Sequence, residues 1–297
     1  MKPYTRGVLQ AIAGGVFLSS SGIIVRHIEH ADPWTVLFYR SLAFFVTVLV
    51  FMLVRDHGRV RETVKRVTRL GPLDALIATA LACGFIFYLQ SLFATTVANT
   101  VLMLSTGPFF AALLAWMVLR ERISGTTWIT MFMAIGGIAV MLAGAGLAST
   151  TSAGASDLVG ILYALGAVLS FAIMVVALRR AGPERDMLMA TSLAGLIAAL
   201  ASAIMMPTFS ISLPDLLLSL ALGSVQIGVG FIFITLASRT VPAAQVPLLA
   251  LGETALAPLW VWLFINEVPA INTLIGGSIV LIAVIWQGYA GIKTNNE

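Results

Sequence analysis

The chain contains ten runs of about 20 mainly apolar residues, which is the length of helix that crosses the hydrocarbon core of a bilayer. These runs occupy nearly all of its 297 residues. Hydrophobic residues make up 59% of the sequence and charged residues only 10%, too few polar groups to cover a soluble domain. We therefore predict an all-α integral membrane protein with ten transmembrane helices, over residues 8–27, 34–54, 72–95, 98–119, 126–147, 158–178, 187–206, 214–236, 243–265 and 269–290.

The basic residues indicate the orientation of these helices, because short cytoplasmic loops are enriched in Lys and Arg. An N-terminus in the cytoplasm places 15 of the 17 Lys and Arg residues on that side. Of the other two, Arg26 falls where the first run meets the first outer loop, and Arg40 lies within the second run. The outer loop 149–157 has no basic residue. We predict that both termini are cytoplasmic and that the protein lies in a bacterial inner membrane. The cytoplasmic cations are Lys2, Arg6, Arg55, Arg59, Arg61, Lys65, Arg66, Arg69, Arg120, Arg122, Arg179, Arg180, Arg185, Arg239 and Lys293.

The N-terminal segment starts with a basic residue and continues into an apolar run, a pattern that signal peptides share. Its apolar run is long, and no compelling small-residue cleavage site ends it. We interpret it as the first transmembrane helix.

Several classes of function are excluded by what the sequence lacks. The net charge of +4 is divided among inner loops rather than gathered on one face, so we expect no nucleic-acid partner. There is no HExxH motif, no acidic pair at ligand spacing and no Gly-rich phosphate loop, which argues against an enzyme and against a nucleotide-driven pump. Cys83 is the only cysteine, so neither a disulfide framework nor a metal cluster is expected. We predict no metal and no cofactor.

Two segments of the chain are similar to each other. The segment Gly107–Glu121 (GPFFAALLAWMVLRE) aligns without gaps with Glu253–Glu267 (ETALAPLWVWLFINE), at an offset of 146 residues. The copies lie in the fourth and ninth runs. This offset of five runs is an odd number, so the second copy enters the membrane from the opposite side. Glu121 then ends its helix inside and Glu267 outside. This pattern is typical of inverted-repeat transporters and predicts two five-helix domains, 1–148 and 149–297.

The stretches PFFAALLAWMVLRERIS and ETALAPLWVWLFINEVP, in a five-plus-five arrangement of runs, resemble the EamA family of the drug/metabolite transporter superfamily. The similarity extends from about Gly7 to Tyr289. It implies a ten-helix inner-membrane carrier of small solutes, often an exporter of amino acids or related metabolites. Uptake by the same fold, a channel-like facilitator and a non-transporting scaffold are the alternatives. The expected partners are a small-molecule substrate, protons as a candidate coupling ion and the lipid bilayer, and the sequence leaves open a monomer or a homodimer.

Glu253 is the ionisable residue in the middle of the ninth run, where a charge facing lipid is costly. Its counterpart in the first repeat is Gly107, which begins a stripe of small residues suited to close helix packing. The carboxyl therefore breaks the symmetry of the repeat near the midplane. We interpret Glu253 as a substrate or proton site, and the alternative is a neutral carboxyl hydrogen-bonded to a neighbouring helix.

Arg40 is the only basic residue within a run, about four residues, or ~6 Å, from the centre of its helix toward the outer side. One interpretation is that it extends to the outer interface. The other is that it faces a central cavity, where it pairs with Glu253 or binds a substrate carboxylate through both of its terminal nitrogens.

The remaining candidate pathway residues are polar groups placed within or beside the runs. Gln226 lies near the middle of the eighth run, where an interhelical hydrogen bond explains it as well as a ligand does. The others are tyrosines and one asparagine: Tyr39, Tyr88, Asn99 and Tyr163.

Overall fold

The computed structural model describes residues 2–20, 24, 27–28, 31–57, 70–95, 100, 103–121, 123–144, 155–182, 187–265 and 271–294. Within these ranges the protein is entirely helical, with no strand. The helices are α1 (Pro3–Leu18), α2 (Pro33–Arg55), α3 (Pro72–Ala94), α4 (Gly107–Leu119), α5 (Gly125–Gly144), α6 (Ala155–Ala181), α7 (Leu188–Met205), α8 (Leu213–Ala221, Leu222–Val229 and Gly230–Ala237 in succession), α9a (Gln245–Ala250), α9b (Gly252–Ile265) and α10 (Ile271–Thr294).

The helices α2, α3, α6, α7 and α8 are each long and apolar enough to cross a membrane. Shorter apolar helical segments lie in α4, α5 and α10. The described part of the chain is therefore helical and contains five candidate membrane-spanning helices, in agreement with the composition of the sequence.

Several helices begin where the sequence supplies a proline and a polar cap. Pro33 and Pro72 occupy the first turns of α2 and α3, where the missing N–H of proline costs no helical hydrogen bond. The Asp32 carboxylate accepts a hydrogen bond from the Trp34 N–H at 2.9 Å. At the start of α8 the Ser212 hydroxyl accepts one from the Asp215 N–H at 3.2 Å. These side chains satisfy amide groups that have no partner within their helices.

Three apolar runs depart from a single regular helix. The first run extends to residue 27, but α1 ends at Leu18, and the hydroxyl of Ser20 bonds back to the carbonyl oxygen of Phe17 at 2.8 Å. The middle of α8, Leu222–Val229, is π-helical, a local form often found at functional sites. The ninth run is divided at Leu251 into α9a and α9b.

The centre of the bundle is an aromatic cluster contributed by four helices. Phe44 of α2 and Phe85 of α3 meet edge to face with 5.0 Å between ring centroids. Phe231 of α8 lies 5.3 Å from Phe85, and Phe171 of α6 lies 6.0 Å from Phe231. Edge-to-face contacts of this kind add stabilisation beyond the apolar area that they bury.

Close approach of the helix backbones holds α2 in its position. A Cβ atom added at Gly195 of α7 would lie 2.6 Å from the carbonyl oxygen of Ser41, and one at Gly223 of α8 would collide with the carbonyl oxygen of Arg40. Small residues at helix contacts allow this separation in membranes. As a result α2 is clamped between α7 and α8 at the turn that carries Arg40.

Helix packing joins the two halves of the chain extensively. Helix α6 packs against α3 and α4, α7 against α2 and α3, and α1 against α8, α9a and α9b. At the periphery α5 packs along α10, where the buried Gln287 accepts a hydrogen bond from the Thr130 hydroxyl at 2.8 Å.

Candidate functional site

Arg40 is buried in the protein, with only 5% of its surface exposed. Its guanidinium carbon lies 5.6 Å from the ring centre of Phe85 and 5.9 Å from that of Tyr88, both on α3. Its Nε is buried without a hydrogen-bond partner, and no ion pair or hydrogen bond to its guanidinium is found among the described residues. Aromatic faces attract a cation, but they leave its N–H donors unsatisfied.

Tyr88 is the residue that links the two charged candidates. It is half-buried and interacts electrostatically with both Arg40 and Glu253. Tyr88 and Phe85 are three residues apart, so they lie on the same face of α3 and together form the surface on which Arg40 rests.

Glu253 lies in the first turn of α9b, directly after the interruption at Leu251. Its side chain is half-buried. Among the described residues, Arg40 and Glu253 form no ion pair, and Tyr88 interacts electrostatically with each of them. Interrupted membrane helices often carry substrate and ion sites in transporters, because the N-terminal end of a half-helix attracts negative charge.

Gln226 lies in the π-helical part of α8 and is buried. Its Nε2 donates a hydrogen bond to the carbonyl oxygen of Leu18, at the end of α1, over 3.2 Å. The structure therefore gives Gln226 an interhelical hydrogen bond.

Trp260 and Ser19 were not among the residues singled out from the sequence. The Trp260 indole N–H donates to the Ser19 hydroxyl oxygen at 2.7 Å, which ties α9b to the end of α1. Trp260 follows Glu253 by seven residues, so both lie on one face of α9b, and this spacing is the signal in the sequence that points to it.

Tyr39 and Tyr163, two further residues predicted from the sequence, make contacts with other parts of the bundle. The Tyr39 hydroxyl donates to the carbonyl oxygen of Phe209, between α7 and α8, at 2.8 Å. Tyr163 of α6 stacks on Phe87 of α3 with 6.1 Å between ring centroids. Asn99 lies outside the described residues.

A network of polar contacts closes the bundle at the end that the sequence assigns to the cytoplasm. Arg179, at the end of α6, forms an ion pair with Glu121, next to α4, with 2.9 Å between Nε and Oε1. Arg179 also donates from Nη1 to the carbonyl oxygen of Arg239 at 3.0 Å. The other carboxylate oxygen of Glu121 accepts the Ala243 N–H at 3.3 Å. Glu267, the repeat counterpart of Glu121, lies outside the described residues.

Chemically, the central group combines a buried cation that has no counter-ion among the described residues, an acid, and a phenol that interacts with both. The described residues contain no group of three His, Cys, Asp or Glu side chains that could hold a metal ion. The arrangement suits a small solute that carries a negative group for Arg40 and a positive group for Glu253.

The sequence matches the EamA-like transporter family over residues 5–143 and again over residues 158–288. It is 26% identical over 281 residues to an uncharacterized transporter of Archaeoglobus fulgidus, and this match covers 94% of the chain and 95% of the relative. One protein of known crystal structure superimposes with a TM-score of 0.82 at 16% identity, over 97% of this chain and 98% of that one. At such low identity the last similarity concerns the fold alone.

Proposed function

Because the chain belongs to the EamA-like transporter family, we propose that it is a secondary active transporter of small metabolites that works by alternating access across the inner membrane. Membership in this family, and so in the drug/metabolite transporter superfamily, makes the chain a membrane transporter. The proposed substrates are amino acids or related compounds, and the proposed direction is export, which is favoured by the family resemblance alone.

The observation that carries the substrate proposal is that Arg40 is buried and that its Nε atom has no hydrogen-bond partner. A buried guanidinium without a carboxylate partner is costly, because burial withdraws it from water. The described residues give the guanidinium of Arg40 no acceptor in return. Its contacts with Phe85 and Tyr88 orient it without occupying its donors. A substrate carboxylate supplies the missing acceptors, and the planar guanidinium binds it through two parallel hydrogen bonds.

Glu253 is proposed to bind the positive end of the same solute or a coupling proton. Its position at the start of α9b and its electrostatic interaction with Tyr88 support assigning it to the same site as Arg40. Because no ion pair joins Glu253 to Arg40 within the described ranges, the carboxyl is available to exchange one partner for another. Gln226, Tyr39, Tyr163 and Asn99 are proposed to belong to the wider pathway.

The inverted arrangement of residues 1–148 and 149–297 is part of this proposal, and the pattern of helix contacts supports it. If each helix of the first half corresponds to the helix five places later, the contact of α3 with α6 corresponds to that of α8 with α1. In the same way α3–α7 corresponds to α8–α2, and α4–α6 corresponds to the contact of α9 with α1. All of these contacts are present. The two successive family matches agree with this division.

Alternating access requires an end of the bundle to open and close. The contacts of Glu121 and Arg179 join α4 of the first half to α6 and to the α8–α9a connection of the second. Both charged side chains are about a quarter exposed, at 27% each, so the pair is weak enough to be broken and remade. We propose that it opens when the solute path faces the cytoplasm.

The proposed topology is tested by labelling cysteines introduced at Thr63 and Ser152, both outside the described residues, after replacement of Cys83 by Ser. An impermeant thiol reagent applied to intact cells should label only Ser152→Cys, and Thr63→Cys should be labelled only in inverted vesicles. Labelling of both from the same side contradicts the inverted arrangement.

Transport is tested with the purified protein in liposomes, by counterflow against a panel of amino acids, their amides and their methyl esters. Saturable counterflow of a solute with a free carboxylate is the expected result. Flux that rises linearly with concentration and shows no counterflow identifies a channel-like facilitator. The absence of flux for every solute removes the basis of the carrier proposal and favours a scaffold.

A further inference from the structure

A groove on the outer surface of the bundle lies between α3, α4 and α6, at the end assigned to the cytoplasm. Its volume is about 390 Å³, within the range of sites that hold small ligands. It is lined by apolar side chains and by a single charged one: Pro72, Leu73, Leu76, Leu114, Val118, Ile173, Val176, Ala177 and Arg180.

The walls of the groove are exposed apolar side chains, one from each of the three helices. Leu76 of α3 is 48% exposed, Val118 of α4 46% and Ile173 of α6 36%. The floor is formed by Val176 and Ala177, which are buried. In a chain that crosses a bilayer, a groove of this composition faces lipid acyl chains, which have no polar groups to satisfy.

The two adjacent arginines at the end of α6 differ in their surroundings. Arg179 turns toward Glu121 and forms the ion pair described above. Arg180 is exposed at the rim of the groove, and no hydrogen bond or ion pair to its side chain is found in the part of the chain that the structure describes. From Arg180 to Ile173 the helix advances seven residues, or about 10 Å, so the groove extends from the cation into the apolar depth.

From this juxtaposition we propose that the groove binds an anionic phospholipid of the cytoplasmic leaflet, with its phosphate on Arg180 and an acyl chain between α3, α4 and α6. An arginine near the membrane surface attracts acidic lipid headgroups. The apolar walls of the groove begin beside Arg180, so they can accommodate the acyl chain of a lipid whose phosphate lies on that arginine. Arg180 directly follows Arg179, so the bound lipid lies beside the Glu121–Arg179 contact. The proposal does not depend on which solute is transported.

The test uses the full-length protein in detergent and counts bound lipids by native mass spectrometry. The probes are phosphatidylglycerol, phosphatidylcholine with the same acyl chains, and glycerol 1-phosphate, which has the charged group without a chain. The wild-type protein should bind phosphatidylglycerol more tightly than phosphatidylcholine and should not retain glycerol 1-phosphate.

Two arginine variants distinguish lipid binding at this groove from a general attraction between the protein's positive charge and anionic lipid. Arg180→Gln should weaken phosphatidylglycerol binding about fivefold and leave phosphatidylcholine binding unchanged. Arg6→Gln removes the same charge from an exposed position of α1 that does not line the groove, and it should change neither lipid. Equal loss in both variants, or no loss in Arg180→Gln, overturns the proposal.

A third variant tests the apolar part of the site. Val118→Trp adds bulk to an exposed wall of the groove and should weaken the binding of both phospholipids. If Val118→Trp binds both phospholipids as tightly as the wild-type protein, the acyl chain does not lie between α3, α4 and α6, and the proposal is wrong. Equal retention of glycerol 1-phosphate and phosphatidylglycerol by the wild-type protein indicates a free-phosphate site, which also contradicts the proposal.

Discussion

The Nε atom of Arg179 lies 2.9 Å from the Oε1 atom of Glu121, in an ion pair that joins the end of α6 to the end of α4. The two residues are 58 positions apart in the chain. The Nη1 atom of Arg179 also donates to the carbonyl oxygen of Arg239, and the Oε2 atom of Glu121 accepts the Ala243 N–H. Both backbone groups belong to the connection between α8 and α9a. One contact therefore fixes three segments of the bundle at one end.

Glu121→Gln should favour opening of this end, because the amide keeps the shape of the side chain and loses its charge. A cysteine placed at Val241 should react faster by about 1.4- to fivefold, because an exposed ion pair contributes about 0.2–1 kcal/mol. Val241 is fully buried beside Gly7 of α1, so its reaction reports opening. The measurement is maleimide labelling of the solubilised protein with Cys83 replaced by Ser.

The control for this prediction is Asp56→Asn, which removes the acid of the Arg55–Asp56 pair at the end of α2. It should leave the labelling rate at Val241 unchanged. A rate in Glu121→Gln equal to that of the parent shows that the ion pair does not limit opening.

Arg40→Gln should raise the half-saturation concentration for a carboxylate solute about tenfold or more, since hydrogen bonds to charged groups contribute about 1.5–3 kcal/mol. The wild-type protein should prefer the free acid to its methyl ester, and the variant should lose that preference. Arg40→Lys should restore it only in part, because an ammonium group cannot form the paired contact. Counterflow in liposomes measures the wild-type protein and both variants.

Arg55→Gln, at the other end of α2, is the matched control for Arg40, and it should keep the parent's half-saturation concentration. Thermal unfolding in detergent establishes that Arg40→Gln is folded. A folded Arg40→Gln variant with unchanged discrimination between acid and ester would rule out a substrate contact.

Glu253→Gln should abolish transport driven by a pH gradient and retain solute exchange. The amide preserves the shape and hydrogen-bonding capacity of the side chain but cannot carry a proton. Glu253→Asp keeps a titratable group and should retain part of the driven transport. The measurement is uptake into liposomes with and without an imposed pH difference, and a Glu253→Gln variant with the parent's pH dependence contradicts the coupling proposal.

Gly223→Ala should destabilise the protein by about 1–3 kcal/mol, because the added methyl group meets the backbone of α2 at Arg40 and forces the helices apart. Gly136→Ala is the matched control, since a Cβ atom at Gly136 meets nothing within 4 Å. That change should be neutral or stabilising, because alanine favours a helix more than glycine does. Unfolding in detergent measures the free energy of unfolding of both variants. Equal values would show that the contact of Gly223 with α2 is not tight.

The sequence by itself determined the class of the protein and its family. Hydropathy over about 20 residues is a local property, because a single helix must satisfy its own backbone in lipid. For the same reason α2, α3, α6, α7 and α8 coincide with predicted runs to within three residues at each end. The paired motifs at Gly107 and Glu253 led to the family that the whole-chain matches establish.

Only the tertiary structure decided which side chains meet. In a soluble helix the apolar face points inward, but in a membrane helix lipid and protein interior are equally apolar, so the hydropathy of α3 does not show which face carries its contacts. The placement of Arg40 over Phe85 and Tyr88, the contact of Trp260 with Ser19 and the pairing of Glu121 with Arg179 each join helices distant in the chain. Such contacts depend on how the helices pack, because close packing at small residues such as Gly195 and Gly223 sets the distance and rotation of each helix against its neighbours.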